Sequence, residues 1–383
     1  MARRSRLAPQ STARLSGGAM TVGTRKRLLI VKLGAIGDCV MAVPAAHAMH
    51  RAGYEIDWIC GQTVAPVLRL YPWIDVHVVD DRALLRGGPV ERARETLRLW
   101  RIVCKRRYDI CATLYYDSRY KLLALPVRAD RKVMLSKLDR ATMLLPGRHH
   151  TDEYARILCG RKDDETPSQL APIPAPSLPA PPLARAPGKP RVVLVPGGAR
   201  NMMRDDALRR WPLESYVALA ELLLARGHEV VLCGSWDDTW TSPSFATLDV
   251  VDLTGKLSLV ESLALFDSAD ITITHDTGPL HLAGITRTGI VSIFGPTDPH
   301  GRLPHRANCV ALWGGEGFAC RPCYDGRDYA PCTHNGCVRQ IAPTMVVEQI
   351  DALLAAAREG VQLPPRVVLP SSTSSFAPGL MVL

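Results

Sequence analysis

Three stretches of the sequence combine chemistry-bearing side chains with turn residues. The first is Gly34-Ala35-Ile36-Gly37-Asp38, directly after an apolar run at 28–33. Glycines at a strand-to-helix turn are demanded by backbone geometry in most Rossmann-like units, so Gly34 and Gly37 alone mark only a turn. Asp38 adds a carboxylate at a helix start, where strand carboxyl ends meet ligands, and it is either a helix cap or a site residue. The second stretch is His275-Asp276-Thr277-Gly278-Pro279-Leu280-His281. Free backbone N–H groups and the positive end of a helix make such a place a phosphate cradle, with the Thr277 hydroxyl as a further donor. The alternative is a capped helix, with Asp276 or Thr277 as cap and Pro279 in the first turn. Gly295-Pro296-Thr297-Asp298-Pro299 follows the next strand, and two consecutive polar turns at strand ends imply a ligand between them. The third stretch sets Arg204, Arg209 and Arg210 before Trp211-Pro212, and its guanidinium groups could meet a diphosphate bidentately. A solvated charge run is the plainer account of the same arginines.

Two chemistries find no residues. The three-glycine dinucleotide fingerprint is missing and no acid clearly ends the second strand, which disfavours a dehydrogenase. No Asp-x-Asp occurs, so diphosphate binding through a carboxylate-held metal ion has no candidate ligands. Of the eleven cysteines, four cluster as Cys320-x2-Cys323-x8-Cys332-x4-Cys337, paired closely enough to complete a tetrahedral metal site. Reduced thiols or a disulfide pair are the alternatives.

The elements that must position these groups alternate short apolar strands with amphipathic segments, the pattern of a parallel sheet covered by helices. In the first half, strands are expected at 28–33, 56–60, 76–80 and 110–115, and helices at 37–51, 64–70 and 91–106. Residues 167–190 hold nine prolines and read as an extended linker. A second alternating unit then places strands at 192–195, 229–233, 250–253, 271–274 and 290–294, with helices at 213–226, 259–267 and 344–358. The expectation is an α/β protein of two doubly wound Rossmann-like domains facing a cleft. Its parts are a basic arm at 1–25, a first Rossmann-like domain at 26–166, the linker at 167–190 and a second Rossmann-like domain with the cysteine cluster at 191–342. A terminal helix at 343–360 and a loose tail at 361–383 complete it.

Composition limits the partners. The chain has 383 residues and a formal net charge of +10, but eight of its 47 Lys and Arg lie in the first 37 residues, which hold no acid. The remaining 39 bases face 37 acids, so bulk charge gives nucleic-acid binding no support. No apolar run of about 18 residues occurs, and the first twenty residues lack the apolar middle of a secretory signal, so a cytoplasmic protein is expected. Met20 is an alternative start, and the basic arm could tether to anionic lipid headgroups.

Taken in order, the Gly34–Asp38 turn, the Arg209-Arg210-Trp211-Pro212 run, Cys233-Gly234-Ser235, the His275–His281 motif and the Gly295–Pro299 turn resemble the heptosyltransferases of glycosyltransferase family 9. The resemblance covers about residues 26–358. It implies a GT-B fold, an ADP-heptose donor on the second domain, an acceptor on the first, and inversion at the anomeric carbon without a catalytic metal or other cofactor. Carried over, Asp38 resembles the general base and Arg209 stands where the family often has a Lys on the donor phosphate. Arg210, Ser235, Asp276, Thr277, Gly278, His281 and Thr297 fall on the donor side, and Asp237 or Asp238 lies near the ribose-contacting acid. Relatives that modify autotransporters resemble this chain in the cysteine region and hold iron there, which implies a structural zinc or iron at Cys320, Cys323, Cys332 and Cys337. The implied acceptor is a phosphorylated lipopolysaccharide core at the membrane face, or a protein or small-molecule hydroxyl. Its site is expected in first-domain loops at 116–121 and 128–140. A nucleotide- or metal-binding module without catalysis is the alternative from another class.

Overall fold

The computed structural model describes residues 25–117, 119–161, 170, 171, 173–200, 204–324, 328–370, 381 and 382. The first domain carries β1 (Lys26–Val31), α1 (Ile36–Arg51), β2 (Tyr54–Gly61), α2 (Ala65–Leu68), β3 (Ile74–Val79), α3 (Asp81–Arg86), α4 (Pro89–Val103), β4 (Arg107–Thr113), α5 (Arg119–Ala124), β5 (Arg128–Met134) and α6 (His150–Cys159). Its sheet is parallel throughout, in the order β3-β2-β1-β4-β5. Alternate residues of β1 feed opposite faces, as the pleat requires. Leu28 and Ile30 pack with Ala42, Ala46 and Leu158, while Leu29 and Val31 pack with Leu99 and Val103. A strand covered on both sides must be apolar where it is covered, and β1 is from Leu28 to Val31.

The second domain carries β6 (Arg191–Leu194), α7 (Leu213–Ala225), β7 (Glu229–Leu232), β8 (Val251–Asp252), α8 (Leu259–Ser268), β9 (Ile271–His275), α9 (Gly278–Gly284), β10 (Gly289–Phe294), β11 (Cys309–Trp313), α10 (Gly336–Arg339), α11 (Pro343–Arg358), β12 (Arg366–Val368) and β13 (Met381–Val382). The order β13-β12-β11-β10-β9-β6-β7-β8 is parallel except for the last pair, β12 and β13. Local chemistry sets the ends: Ser258 caps α8 by accepting from Glu261 N, while Glu261 accepts from Ser258 N, a reciprocal capping box. The strand order reverses at β1 beside β4 and at β6 beside β9. Such reversals open crevices at strand carboxyl ends.

The domains touch. Val40 of α1 and Val67 of α2 share an apolar cluster with Leu280 and Leu282 of α9, and His149 Nε2 lies 2.9 Å from Leu303 O across the junction. In the segment expected to link the domains, Leu170 and Ile173 pack on the first core and Leu178 and Leu183 on the second. Residues 162–169 and 172 lie outside the described residues, as does the basic arm except for Arg25, which pairs with Glu55 at 3.5 Å.

Two expectations are corrected. Residues 128–134 of the expected acceptor loop form the edge strand β5, in register with β4 from Tyr108↔Ala129 to Thr113↔Met134. Its charged positions Arg128, Asp130 and Lys132 face solvent, and charges on an edge blunt pairing with other chains while hiding the strand signal. The tail at 361–383 is not loose throughout, because Arg366–Val368 is buried and pairs in parallel with β11. Three residues are too few to show a period. Residues 371–380 lie outside the described residues.

Candidate active site

Asp38 stands in the first turn of α1, but the N-cap is Ala35 and makes no side-chain capping bond. The carboxylate therefore does not serve as the cap that the sequence allowed. Its Oδ2 lies 3.8 Å from Lys32 Nζ, and the Asp38 side chain keeps 29% of its surface while Lys32 keeps 1%. Lys32 Nζ donates to Leu114 O at 2.8 Å and lies over the rings of Tyr115 and Tyr154 at 5.6 and 5.2 Å. Burial alone would raise the Asp38 pKa, but Lys32, His150, Arg302 and His281 outweigh it and hold the group below the usual carboxylate value. The result is an ionised carboxylate that remains open to the cleft. Gly34 beside it has open space where a Cβ would go, whereas a Cβ on Gly37 would sit 2.4 Å from His281 Cδ2. Gly37 is thus required by the approach of the second domain, and it brings His281 against the turn that carries Asp38.

Opposite, β9 ends in His275 and hands the chain to Asp276, which is 1% exposed. Apart from the Thr297 hydroxyl, neither Asp276 oxygen has a hydrogen-bond donor among the described residues, and Thr297 Oγ1 has no other partner there. Instead Arg209 Nη1 lies 3.4 Å and Arg302 Nε 3.8 Å from Asp276 Oδ2. Burial raises the Asp276 pKa, but Arg209 and Arg302 pull it down to about 2. A permanently ionised, inaccessible carboxylate has no proton to donate to a phosphate oxygen. Its physical role is to orient two arginines that remain partly open to the cleft. Arg302, three residues beyond the Gly295–Pro299 turn, was not singled out by the sequence, and neither were Lys32 and His150. Only the fold brings these three around Asp38.

The turns of β6 and β7 complete the floor. Thr277 Oγ1 accepts from Ala199 N at 2.8 Å, and Gly198, at φ +85°, leaves no room for a Cβ against that hydroxyl. Asp238 accepts from Gly198 N at 2.7 Å, Ser235 N at 2.8 Å and Ser235 Oγ at 2.6 Å. It fastens the two turns together, while Asp237 stays exposed. Arg210 is likewise committed, with Nε donating to Gly198 O at 2.8 Å and Nη2 paired with Asp205. Gly278 faces Ile36 of the first domain. The structure therefore brings Asp38, His281, Arg209, Asp276 and Thr297 to one cleft, and uses Arg210, Ser235 and Thr277 to hold its walls. Because α9 has only seven residues, its own dipole is a weak anion site, and positive charge there comes from the arginines.

The four clustered cysteines are free thiols, Cys320 and Cys332 exposed, Cys323 and Cys337 half-buried. Burial pushes Cys337 up to about 11, with Cys323 and Cys332 near enough to raise it further. Among the described residues, two groups place three candidate ligand atoms within 4.8 Å of one another, and neither includes a cysteine. Four soft donors suit zinc or iron, but a bound ion would have to draw this segment together. In the segments expected to meet the acceptor, Arg131 and Lys132 are committed to the carbonyls of Leu158, Ala124 and Leu125, and Arg119 to Asp117.

Three enclosed histidines, His275 and His281 buried and His150 half-buried, make the site acid-sensitive. Burial lowers His150 to about 3, and His275 and His281 to about 4. Below the unfolded value of about 6.5 the unfolded chain takes up protons that the folded chain refuses, so stability falls as pH drops from about 6.5 towards 4. Each tenfold difference in proton affinity between the two states is worth about 1.4 kcal/mol per group. Asp276 adds a loss only between its unfolded value of about 3.9 and about 2. Denaturant midpoints should thus decline well above pH 4. His281→Gln, which has no proton to gain, should decline less steeply from pH 7 to 5; parallel slopes would remove His281 from this account.

The family described as Glycosyltransferase family 9 (heptosyltransferase) matches residues 110–334, more than half of the chain. Lipooligosaccharide heptosyltransferase 2 of Haemophilus influenzae is 30% identical over 156 residues, 38% of this chain and 44% of that protein, so the match spans less than half of that relative's length. Lipopolysaccharide heptosyltransferase 1 of Pseudomonas aeruginosa is 25% identical over 370 residues, 86% of this chain and 98% of that protein. The solved structure of the Escherichia coli ADP-heptose lipopolysaccharide heptosyltransferase II shares the fold with a TM-score of 0.64 at 18% identity, covering 87% of this chain and 99% of that one. By this match the chain belongs to glycosyltransferase family 9.

Proposed function

We propose that the protein is an inverting glycosyltransferase that moves heptose from ADP-heptose to a phosphorylated lipopolysaccharide-core acceptor without a catalytic metal. The observation that carries the reading is the pairing across one cleft of an ionised, accessible carboxylate with a positive floor. Asp38 stands on the first domain, and Arg209 and Arg302 stand on the second, oriented by Asp276. The acceptor hydroxyl oxygen attacks the anomeric carbon as the bond to the diphosphate breaks. The proton passes to an Asp38 oxygen, and the charge left on ADP is met by the two guanidinium groups. His281, held neutral between the two sides, is placed to hydrogen-bond substrate rather than to compete for the diphosphate. Asp237, exposed at the β7 turn, is free to meet the ribose.

Among the described residues no helix is long and apolar enough to cross a membrane. A glycolipid acceptor would therefore be met at the surface, which makes peripheral contact part of the proposal. The test is ADP release from ADP-heptose against truncated lipid cores and peptide acceptors. Release with a phosphorylated core supports the reading, release only with peptide reassigns the acceptor to protein, and no release with any acceptor despite ADP binding supports a binding module. Excess magnesium chelator should leave the rate unchanged.

The cysteine segment is proposed as a structural metal site. Purified protein should contain about one zinc or iron per chain, and Cys320→Ser with Cys323→Ser should release it and lower the melting temperature. Metal analysis returning none, with four titratable thiols, would assign the segment to plain cysteines.

A further inference from the structure

Two side chains between Cys323 and Cys332 reach the cleft. Tyr324 and Tyr329 form an antiparallel bridge with their rings 4.8 Å apart. The Arg209 guanidinium lies 5.0 Å from the Tyr324 ring centre and 5.8 Å from that of Tyr329, and Arg209 Nε donates to Tyr329 Oη. Tyr324 also lies 5.6 Å from Arg302, and Tyr329 lies 5.7 Å from Arg204. The pair is anchored from beneath: Tyr324 N donates to Pro296 O at 3.1 Å, in the turn that carries Thr297. A Cβ on Gly295 would meet Cys337 Sγ at 2.6 Å, so the cysteine segment is packed directly on that turn. Arg209 is thus held by two carboxylates, Asp276 at 3.4 Å from Nη1 and Asp206 at 3.9 Å from Nη2, and by the tyrosine pair.

We propose that Tyr324 and Tyr329 are positioning residues for the donor diphosphate, holding the planes of Arg209 and Arg302, and that the cysteine-bearing segment is thereby a wall of the donor site. Long arginine side chains lose much rotamer freedom when they bind an anion. A guanidinium held between ring faces and a carboxylate has already lost it, so the anion meets a fixed fork. The phenol of Tyr329 stays protonated, since burial pushes its pKa up to about 12, and its O–H remains a donor while its oxygen accepts from Arg209. The inference rests on the donor-site reading of Arg209 given above.

The test is calorimetry of ADP with wild type, Arg209→Ala, Tyr324→Leu, Tyr324→Phe, Tyr329→Phe and the double variant Arg209→Ala/Tyr324→Leu, each checked for an unchanged fold by circular dichroism. Tyr324→Leu should weaken ADP about 2- to 30-fold, the range for a cation over a ring face, and Tyr324→Phe should restore it. Tyr329→Phe should weaken ADP about 2- to 10-fold through its lost hydrogen bond. The KM for donor should rise in Tyr324→Leu while the KM for acceptor stays put. Adding Tyr324→Leu to Arg209→Ala should cost less than Tyr324→Leu does in the wild type, because only Arg302 is left for Tyr324 to position. If Arg209→Ala weakens ADP but the tyrosine variants do not, or if the double loss is additive, the clamp is overturned and the donor site stands. If Arg209→Ala itself leaves ADP affinity unchanged, the donor-site reading of Arg209 fails and the clamp falls with it.

Discussion

Asp38→Asn should give a folded protein that binds ADP normally and turns over about 10²-fold more slowly or worse, the contribution expected of a positioned general base. The amide keeps the size and the hydrogen-bonding oxygen of the carboxylate but has no place for the acceptor's proton. No cap is lost, because α1 is not capped by this side chain. What is lost inside the protein is the counter-charge of Lys32, whose ammonium is 1% exposed. Leu114 O and two tyrosine ring faces remain to it. The pair is long at 3.8 Å and Asp38 is partly solvated, so the stability loss should fall below the roughly 3–5 kcal/mol of a broken, fully buried pair. Circular dichroism and ADP calorimetry would show the fold and the donor site intact, and steady-state turnover would show the loss. Because the Asp38 pKa is held down, the acid limb of kcat/KM in the wild type should lie below the ordinary carboxylate range. Near-normal turnover of a folded, ADP-binding Asp38→Asn protein would place the base elsewhere.

The parts of the fold legible in the sequence were those where burial on both faces forces a long apolar run or a clean helical period. The strands β1, β2, β9 and β10 and the helices α1, α7, α8 and α11 are of this kind. The polar edge strand β5, the three-residue β12 and the helix α6 are not. α6 opens on His150, Asp152 and Glu153 and is tied down by contacts outside the helix, such as those of Arg156 with Ala141 O at 3.0 Å and Met143 O at 2.7 Å. The site divides in the same way. Residues in the turns that follow strands could be read, because a glycine or proline beside a carboxylate is a local signal. Lys32 reads only as part of a basic stretch, although its burial beneath Asp38 gives it a charge role. Arg302 carries no local mark beyond its nearness to the Gly295–Pro299 turn. The sequence treats Arg209 and Arg210 alike. Their side chains part, Arg210 turning back to Gly198 O and Arg209 towards Asp276.

That parting makes Arg209→Ala the more telling change on the donor side. It should weaken ADP binding by about 1.5–3 kcal/mol, the range for a hydrogen bond to a charged group, or roughly 10- to 150-fold in calorimetry. Arg210→Ala should instead act mainly on stability, since its partners are a backbone carbonyl and Asp205. The Arg209 change has a second consequence. It leaves Asp276 buried with Arg302 alone, 3.8 Å away, and a stranded anion beneath the diphosphate would itself repel the ligand. Arg209→Ala combined with Asp276→Asn separates the two causes. If Arg209 binds the diphosphate directly, the loss persists when the stranded charge is neutralised. If the loss came from Asp276, affinity recovers in the double variant. Arg209→Lys keeps the charge and gives up the planar fork, so it should fall between wild type and alanine. Full affinity in Arg209→Ala would remove this residue from the donor site and leave Arg302 as the cation that meets ADP.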